Sequence, residues 1–336
     1  MEYTSLSDTG LKVSKLALGT MNFGTRADFS SSREVFNACI NAGINYFDTA
    51  DIYGNGKSEE FLGKLIHEQN RSDFVIQTKG FFSAKNGIND SGMSRKHILE
   101  ALNQSLKRLQ TDYVDVYLIH DFEAATSIEE TIDTLNDLKK AGKILTLGVS
   151  NWAAWQIMES IGISELNNWS QVKVLEPLYN LAKRQIEADI LPMAAKHNLA
   201  VTPFSPLGGG LLTGKYGSNG RADKTGRLAN DTINRARYRD DYQLASKFAN
   251  FAQQENVNPI SLAIAWVLHN KAITAPLIGA RNLSQLQPAL DALKINLSED
   301  TYDKITSLST PPVPANGRTE ENVIGKWSQN YNPSFK

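Results

Sequence analysis

The sequence predicts an α/β protein in which eight parallel strands and the helices between them close into a (β/α)8 barrel. Short apolar runs rich in β-branched and aromatic residues alternate with segments of helical periodicity. The helical segments carry recognisable start and stop signals, and a length of 336 residues suits one barrel as well as two smaller domains. Because alternation alone does not reveal closure, an open doubly wound sheet is the main alternative.

The strands follow a short opening hairpin. Its arms are residues 3–6 and 11–14, and the turn lies at Asp8-Thr9-Gly10. Eight apolar runs then supply the predicted barrel strands: 15–19, 44–48, 74–79, 113–120, 144–150, 171–175, 199–204 and 273–278.

The helices are predicted from their ends and their apolar faces. Ser31-x-x-Glu34 reads as a capping box and Gly43 as the stop of the first helix. Ser127-x-x-Glu130 and Gly142 repeat this pattern in the fourth. Helical spacing places two further sets of apolar residues on one helix face each. The set of the second helix is Phe61, Leu62, Leu65 and Ile66, and that of the third is Ile98, Leu102 and Leu106.

Two stretches interrupt the alternation. Residues 205–240 are rich in glycine and arginine and too long for an ordinary connection, so we expect a functional loop on the carboxyl-terminal face. Residues 1–310 are expected to form a single domain, and the proline-containing residues 311–336 a tail on the surface or over the barrel mouth.

Composition narrows the classes of function. With 35 basic and 36 acidic side chains the formal charge is −1, which offers no electrostatic footprint for nucleic acid or an anionic membrane. A single cysteine, Cys39, fits a reducing compartment, and the absence of a visible secretory signal or long apolar run favours a cytoplasmic protein. The five histidines show no paired ligand spacing, so a metal-dependent barrel hydrolase is disfavoured and no metal is expected.

The candidate chemistry lies where the strands end, because barrels of this type form their active sites at the carboxyl ends of the strands. Asp48 ends the second strand, Tyr53 follows it, Lys79 ends the third and His120 the fourth. Singly, each has an ordinary structural explanation. Together they form a proton-donating group, in which Asp48 holds the Lys79 ammonium and that cation lowers the pKa of the Tyr53 phenol.

These residues stand in motifs that resemble the aldo-keto reductase superfamily. The motifs are Phe47-Asp-Thr-Ala-Asp-Ile-Tyr-Gly54, Thr78-Lys79, Leu118-Ile-His-Asp121 and Gly148-Val-Ser-Asn151, and the resemblance runs from about Leu16 to about Leu293. It implies reduction of an aldehyde or ketone, with Tyr53 as general acid and His120 positioning the carbonyl beside a nicotinamide. A non-enzymatic relative of the channel β-subunit type, which keeps the barrel and the nucleotide, is the competing function.

The resemblance also implies a site for NADPH. Ser150 and Asn151 match the residues that bind the nicotinamide carboxamide, Phe204 the ring that stacks on it, and Arg281 and Gln285 the contacts to the 2′-phosphate and adenine. The remaining predicted cofactor residues are Gly19, Thr20, Met21, Asp48, Glu176, Ser205, Pro206, Leu207, Gly209, Lys215 and Gly279.

Two positions depart from the family pattern. Ala289 stands where related sequences usually have Asn, so adenine contacts are expected to be reduced. Glu176 stands where they usually have Gln; an ionised Glu can only accept hydrogen bonds, so we expect a negative charge near the nicotinamide that favours the oxidised cofactor. Lys173 or Lys183 could offset that charge.

Other nucleotide motifs are near misses. The segment from Gly209 to Lys215 matches most of a P-loop, but Tyr216 stands where a P-loop has the hydroxyl ligand for Mg²⁺. No early G-x-G-x-x-G indicates a Rossmann site.

The substrate is expected to be a small carbonyl compound, apolar or ring-containing. The predicted substrate contacts are Phe23, Tyr53, Phe81, Phe82, His120 and Trp152. The oligomeric state is not predicted.

Overall fold

The computed structural model describes residues 1–83, 87–216 and 226–317. Ten strands are described: β1 (Tyr3–Ser5), β2 (Lys12–Ser14), β3 (Ala17–Gly19), β4 (Tyr46–Asp48), β5 (Val75–Gly80), β6 (Val114–Ile119), β7 (Ile144–Ser150), β8 (Val172–Glu176), β9 (Ala200–Val201) and β10 (Leu277–Ile278). β1 and β2 form the expected antiparallel hairpin, and the other eight form one parallel sheet in the order β10-β3-β4-β5-β6-β7-β8-β9.

The sheet closes on itself where β9 meets β10. The backbone N–H of Leu277 donates to the Pro203 carbonyl at 2.9 Å, and that of Thr274 donates to the Val201 carbonyl at 2.8 Å. The barrel is therefore confirmed, and the open-sheet alternative is wrong. β9 and β10 are shorter than predicted because Pro203 and Pro276 have no N–H to donate to the sheet.

Twelve α-helices lie in the described parts of the chain: α1 (Phe29–Asn41), α2 (Lys57–His67), α3 (Arg95–Leu109), α4 (Ile128–Lys140), α5 (Ala154–Asn167), α6 (Ile190–Lys196), α7 (Arg227–Asn230), α8 (Thr232–Arg237), α9 (Tyr242–Gln254), α10 (Pro259–His269), α11 (Leu283–Asp291) and α12 (Glu299–Thr306). Short 3₁₀ turns occupy Arg71–Asp73, Gln185–Glu187, Gly208–Thr213 and Ala292–Lys294. The predicted long loop therefore contains local helical structure in its described parts, and its residues 217–225 lie outside them.

The first helix begins earlier than the sequence pattern predicts. Asp28, not Ser31, is its N-cap, and the Asp28 carboxylate accepts the Ser31 backbone N–H at 2.8 Å. The first N–H groups of a helix have no partner within the helix, and an aspartate at the N-cap accepts one of them as a serine at that position would. Gly43 does follow the helix end with a φ of 84°, and Ser127 caps α4 as expected.

Two buried clusters hold the barrel together. One lies between the strands and the surrounding helices, and it includes residues of the predicted helix faces, among them Leu62, Leu65 and Leu102. The other fills the barrel interior, where Leu6 and Val13 of the hairpin pack against Ala17, Val75 and neighbouring strand residues. The hairpin thus covers the amino-terminal end of the barrel, which leaves the carboxyl-terminal end for the site. The single-domain prediction for 1–310 and the tail prediction stay predictions, and residues 318–336 lie outside the described chain.

Candidate active site

Adjacent parallel strands bring the four predicted catalytic residues together. Asp48 is the last residue of β4, Lys79 lies next to the end of β5, and His120 directly follows β6. Tyr53 stands in the loop after β4. Because these strands are neighbours in register, the side chains meet at one end of the barrel.

Lys79 is the centre of the group and has no exposed surface. Its Nζ lies 2.5 Å from Asp48 Oδ1, 3.3 Å from the Tyr53 hydroxyl and 3.0 Å from the Thr49 carbonyl. A fourth neighbour, Glu176 Oε1, lies 3.3 Å away. The buried ammonium is thus held by two carboxylates and placed against the phenol.

Burial and the Lys79 charge act on Tyr53 in opposite directions. Burial raises the pKa of its phenol above the ordinary value, and the Lys79 charge lowers that pKa in the predicted direction. Burial is the larger of the two effects. Asp48 and Glu176 hold Lys79 protonated against the effect of burial, so that its own pKa lies well above the usual range.

His120 is held in its neutral form. Burial, followed by the nearby Lys79 charge, lowers the pKa of its imidazole well below the ordinary value. Its ring lies edge-on to Tyr53, with centroids 5.8 Å apart, and 5.0 Å from the Phe82 ring. The Nδ1 atom is buried and has no hydrogen-bond partner among the described residues. A neutral imidazole beside the phenol offers a carbonyl oxygen a second polar contact.

Glu176 lies behind this group and has only 2% of its surface exposed. Its Oε2 accepts a hydrogen bond from Gln77 Nε2 at 2.6 Å, and the same amide donates to Asp48 Oδ1 at 2.8 Å. The cation beside Glu176 is Lys79. The two cations named from the sequence are engaged elsewhere, since Lys173 pairs with Asp8 at 2.9 Å and Lys183 with Asp241 at 2.8 Å.

The candidate site faces a cleft with a volume of about 750 Å³. This volume is typical of cofactor sites. Asp48, Tyr53 and His120 line it, while Lys79 lies beneath its floor. The predicted cofactor residues that line it are Gly19, Met21, Asp48, Ser150, Asn151, Glu176, Phe204, Ser205, Pro206, Leu207, Gly209, Lys215, Gly279, Arg281 and Gln285. Thr20 does not: it is fully buried, with its hydroxyl donating to the Asp48 carbonyl at 2.9 Å.

Only some of the predicted aromatic contacts to the substrate lie at this cleft. Phe82 lines the cleft, and Phe81 packs behind it with ring centroids 5.1 Å apart. Phe23 is fully buried in the core, so its prediction as a substrate contact is not supported by its position. Trp152 is nearly buried, with its indole N–H donating to the Asp121 carbonyl at 3.2 Å, and it lines a separate cavity.

The sequence reading missed several cations of the cleft. Arg26, Arg227 and Arg237 join Lys215 and Arg281 in its lining. Arg227 is largely enclosed, contacts Asn22 Oδ1 at 3.5 Å and forms no ion pair with any residue of the described ranges. Burial, followed by the Arg26 charge, lowers its pKa. The arginine content of the predicted loop was the signal that could have found it.

The cleft fits a phosphorylated nucleotide. Unpaired guanidinium groups are the donors that phosphate prefers. Arg281 precedes α11, whose N-cap is Asn282, so backbone N–H groups and a cation meet at the same end of the cleft. Gly208, Gly209 and Gly210 adopt positive φ values of 58°, 64° and 100°, which suits a loop whose backbone approaches a ligand closely. Phe204 and the Ser150–Asn151 pair line the same cleft.

The described ranges contain neither a membrane-spanning helix nor a cluster of metal ligands. No helix there is long and apolar enough to cross a membrane. Likewise, among residues 1–83, 87–216 and 226–317, no group of three or more His, Cys, Asp or Glu side chains could hold a metal ion.

Comparison with known proteins agrees with the fold. Residues 15–310 match the model of the Aldo/keto reductase family. A probable voltage-gated potassium channel subunit beta of Arabidopsis thaliana is 37% identical, covering 88% of this chain and 92% of that protein. An uncharacterised oxidoreductase of Bacillus subtilis is 34% identical, with coverages of 93% and 97%. Versiconal hemiacetal acetate reductase of Aspergillus parasiticus is 31% identical, with coverages of 94% and 98%.

The family match and the oxidoreductases among these relatives thus place the barrel in a class of oxidoreductases that act on carbonyl groups. The chain belongs to the aldo/keto reductase family.

Proposed function

We propose that this protein is an NADPH-dependent carbonyl reductase that converts an aldehyde or ketone to an alcohol. The observation that carries the proposal is the buried contact of Lys79 with both Asp48 and the Tyr53 hydroxyl, at 2.5 and 3.3 Å, beside a neutral His120. A proton donor, a cation to stabilise its conjugate base and a polar group to orient the oxygen are what carbonyl reduction requires.

In this mechanism a bound nicotinamide supplies the hydride to the carbonyl carbon. Tyr53 donates its proton to the carbonyl oxygen, and the Lys79 ammonium stabilises the tyrosinate that results. His120 donates a hydrogen bond to the same oxygen from the ring nitrogen that carries its proton, and this contact fixes the carbonyl's orientation. Phe82, beside His120, covers this end of the cleft and favours a substrate with an apolar or aromatic group.

NADPH is proposed over NADH because of the charge at the far end of the cleft. Arg281 donates through Nε to Gln285 Oε1 at 3.4 Å, an arrangement that leaves its terminal nitrogens available to a 2′-phosphate. Ala289 lines the same cleft, and its methyl group offers an adenine no hydrogen bond, so the proposal includes a reduced adenine contact there.

A second candidate is a nucleotide-binding subunit without turnover, because one relative at 37% identity carries the name of a potassium channel subunit. The intact set of Asp48, Tyr53, Lys79 and His120 supports the reductase instead. The cytoplasmic location remains a prediction from the sequence.

The test is oxidation of NADPH by the purified protein, followed by its absorbance, with an aromatic aldehyde, an aliphatic aldehyde and a ketone. We expect turnover with at least one of them. Tight NADPH binding without turnover across the panel would favour the subunit function.

A further inference from the structure

The charges around Lys79 do not balance. Asp48, Lys79 and Glu176 have at most 3% of their surfaces exposed, and two carboxylates face one ammonium. The neighbouring titratable groups are Tyr46, from β4, Tyr53 and His120, and all three are neutral. Of the groups that the structure describes within contact, none supplies a second cation. An unpaired charge in so dry a site is costly, so one further proton is expected there.

Hydrogen bonds indicate which carboxyl group holds that proton. Asp48 Oδ1 accepts from Lys79 at 2.5 Å and from Gln77 at 2.8 Å, and two close donors favour the ionised form. Glu176 has one close donor, Gln77 at 2.6 Å, and the longer contact of 3.3 Å to Lys79. Tyr46 donates to Gln77 Oε1 at 2.5 Å, which fixes the amide so that its N–H groups point to both acids.

We propose that Glu176 carries a proton shared with Asp48 and serves as the proton reservoir of the site, returning a proton to Tyr53 through Lys79. Glu176 is accordingly a positioning and proton-holding residue that acts through Lys79 and does not touch the substrate. This inference rests on the proposed reductase function.

After each reduction, protons pass from Glu176 to Lys79 and from Lys79 to Tyr53. When Tyr53 has given its proton to the carbonyl oxygen, the tyrosinate takes one from the Lys79 ammonium, 3.3 Å away. Lys79 is restored by the proton of Glu176, whose Oε1 also lies 3.3 Å from Nζ. Glu176 is one of the residues that line the cleft, so its carboxylate takes up the one proton that each reduction consumes from the solvent once the product has left.

The acidity of Glu176 supports this assignment. Burial, followed by the nearby Asp48 charge, raises the pKa of the Glu176 carboxyl well above its ordinary value of 4.5, although Lys79 opposes the shift. A group with a raised pKa is protonated below that value and loses its proton as the pH rises through it. Reduction, which consumes a proton, should therefore slow at higher pH.

The first experiment detects the proton without turnover. Infrared titration should show the carbonyl stretch of a protonated carboxyl group at neutral pH, and Glu176→Gln should remove it. Because the pKa of Asp51 lies at about 7, the comparison is made in an Asp51→Asn background, with and without Glu176→Gln. Absence of the band from Asp51→Asn alone at neutral pH would overturn the proposal.

The second experiment follows kcat for carbonyl reduction against pH in the wild type, Glu176→Gln and Glu176→Asp. The wild type should show a one-proton decline as the pH rises, and Glu176→Asp should retain it. Glu176→Gln should lose this decline and be about tenfold slower on the acidic side, below the 10²- to 10⁴-fold typical of a direct general acid.

A purely structural role of Glu176 and a lack of reductase activity would give different results. An equal loss of kcat at every pH in both variants, with the decline unchanged, would mean a structural role and overturn the reservoir. A wild type without turnover would instead contradict the reductase function, and the infrared band would still decide where the proton lies.

Discussion

Lys79 has no solvent-exposed surface, and its charge orders the residues around it. A buried ammonium must be paired, and here the partners include both a carboxylate and the phenol proposed as acid. The sequence could indicate Asp48, Tyr53, Lys79 and His120, because residues at the ends of neighbouring strands must converge. It could not indicate that Glu176 contacts Lys79, since that contact depends on how far each side chain reaches across the barrel.

Tyr53→Phe should reduce carbonyl reduction by 10²- to 10⁴-fold while leaving NADPH affinity nearly unchanged, because it removes the proton donor and little volume. Tyr117→Phe is the matched control. Tyr117 is fully buried outside the cleft, and its hydroxyl has no hydrogen-bond partner in the described ranges. The control should keep both activity and stability; rates near wild type in Tyr53→Phe would refute its role as acid.

Arg281→Ala should weaken NADPH binding while changing NADH binding little. A charge-assisted contact to the 2′-phosphate is worth about 1.5–3 kcal/mol, or roughly 10- to 150-fold in the dissociation constant. Fluorescence titration with both cofactors measures the ratio. Arg33→Ala, which removes an exposed ion pair with Glu68, should not alter it. Unchanged discrimination in Arg281→Ala would show that other cleft cations read the phosphate.

At the scale of elements, the sequence predicted most of the strands and helices, but their ends depended on chemistry that the pattern hides. The order of elements followed from apolar periodicity. β9 and β10 are short because proline interrupts them. The start of α1 was misplaced because a capping box at Ser31 looked complete, whereas Asp28 is the residue whose carboxylate reaches the free amide.

The corrected start of α1 can be tested by stability. Asp28→Ala should lower the urea midpoint, whereas Ser31→Ala, inside the helix, should leave it nearly unchanged. The Ser31 amide lowers the pKa of Asp28 below its ordinary value of 3.8. The contribution of this cap is therefore present above that pH and lost as the pH falls through the folded-state pKa. A larger effect from Ser31→Ala at neutral pH would restore the sequence-based cap.

At the scale of the whole molecule, a second buried group of charges joins the loop of Tyr53 to the outer helices. Glu59 of α2 is fully buried and accepts from Arg108 Nε of α3 at 2.6 Å. Asp51 lies nearby, with its Oδ1 lacking a hydrogen-bond partner in the described part of the chain. Its backbone N–H donates to the Lys79 carbonyl at 3.1 Å. This group therefore connects the packing of the helices to the strand that carries Lys79.

The stability of the protein should depend on the pH through Asp51. Burial, followed by the Glu59 charge, raises the pKa of Asp51 from 3.8 to about 7. The folded protein holds this proton more tightly than the unfolded chain, so the stabilisation is complete below pH 3.8 and is lost as the pH rises through 7. The free energy of unfolding should thus fall by up to about 4 kcal/mol over this interval.

Asp51→Asn should remove that part of the pH dependence, and it should be more stable than the wild type at pH 8. Asp137→Asn, which alters an exposed carboxylate paired with Arg95, is the control and should follow the wild-type curve. The measurement is urea unfolding between pH 4 and 8. Parallel curves for the wild type and Asp51→Asn would mean that Asp51 is ionised throughout.

As a reductase, this barrel transfers hydride to a carbonyl and does not only bind a nucleotide. The most direct measurement is a single-turnover reaction with NADPH deuterated at the transferred position, followed by mass analysis of the product. The proposal predicts one deuterium on the carbinol carbon of the alcohol for each NADPH oxidised by the wild type, and almost none with Tyr53→Phe. Bound NADPH that remains reduced in the presence of every carbonyl compound tested would contradict it.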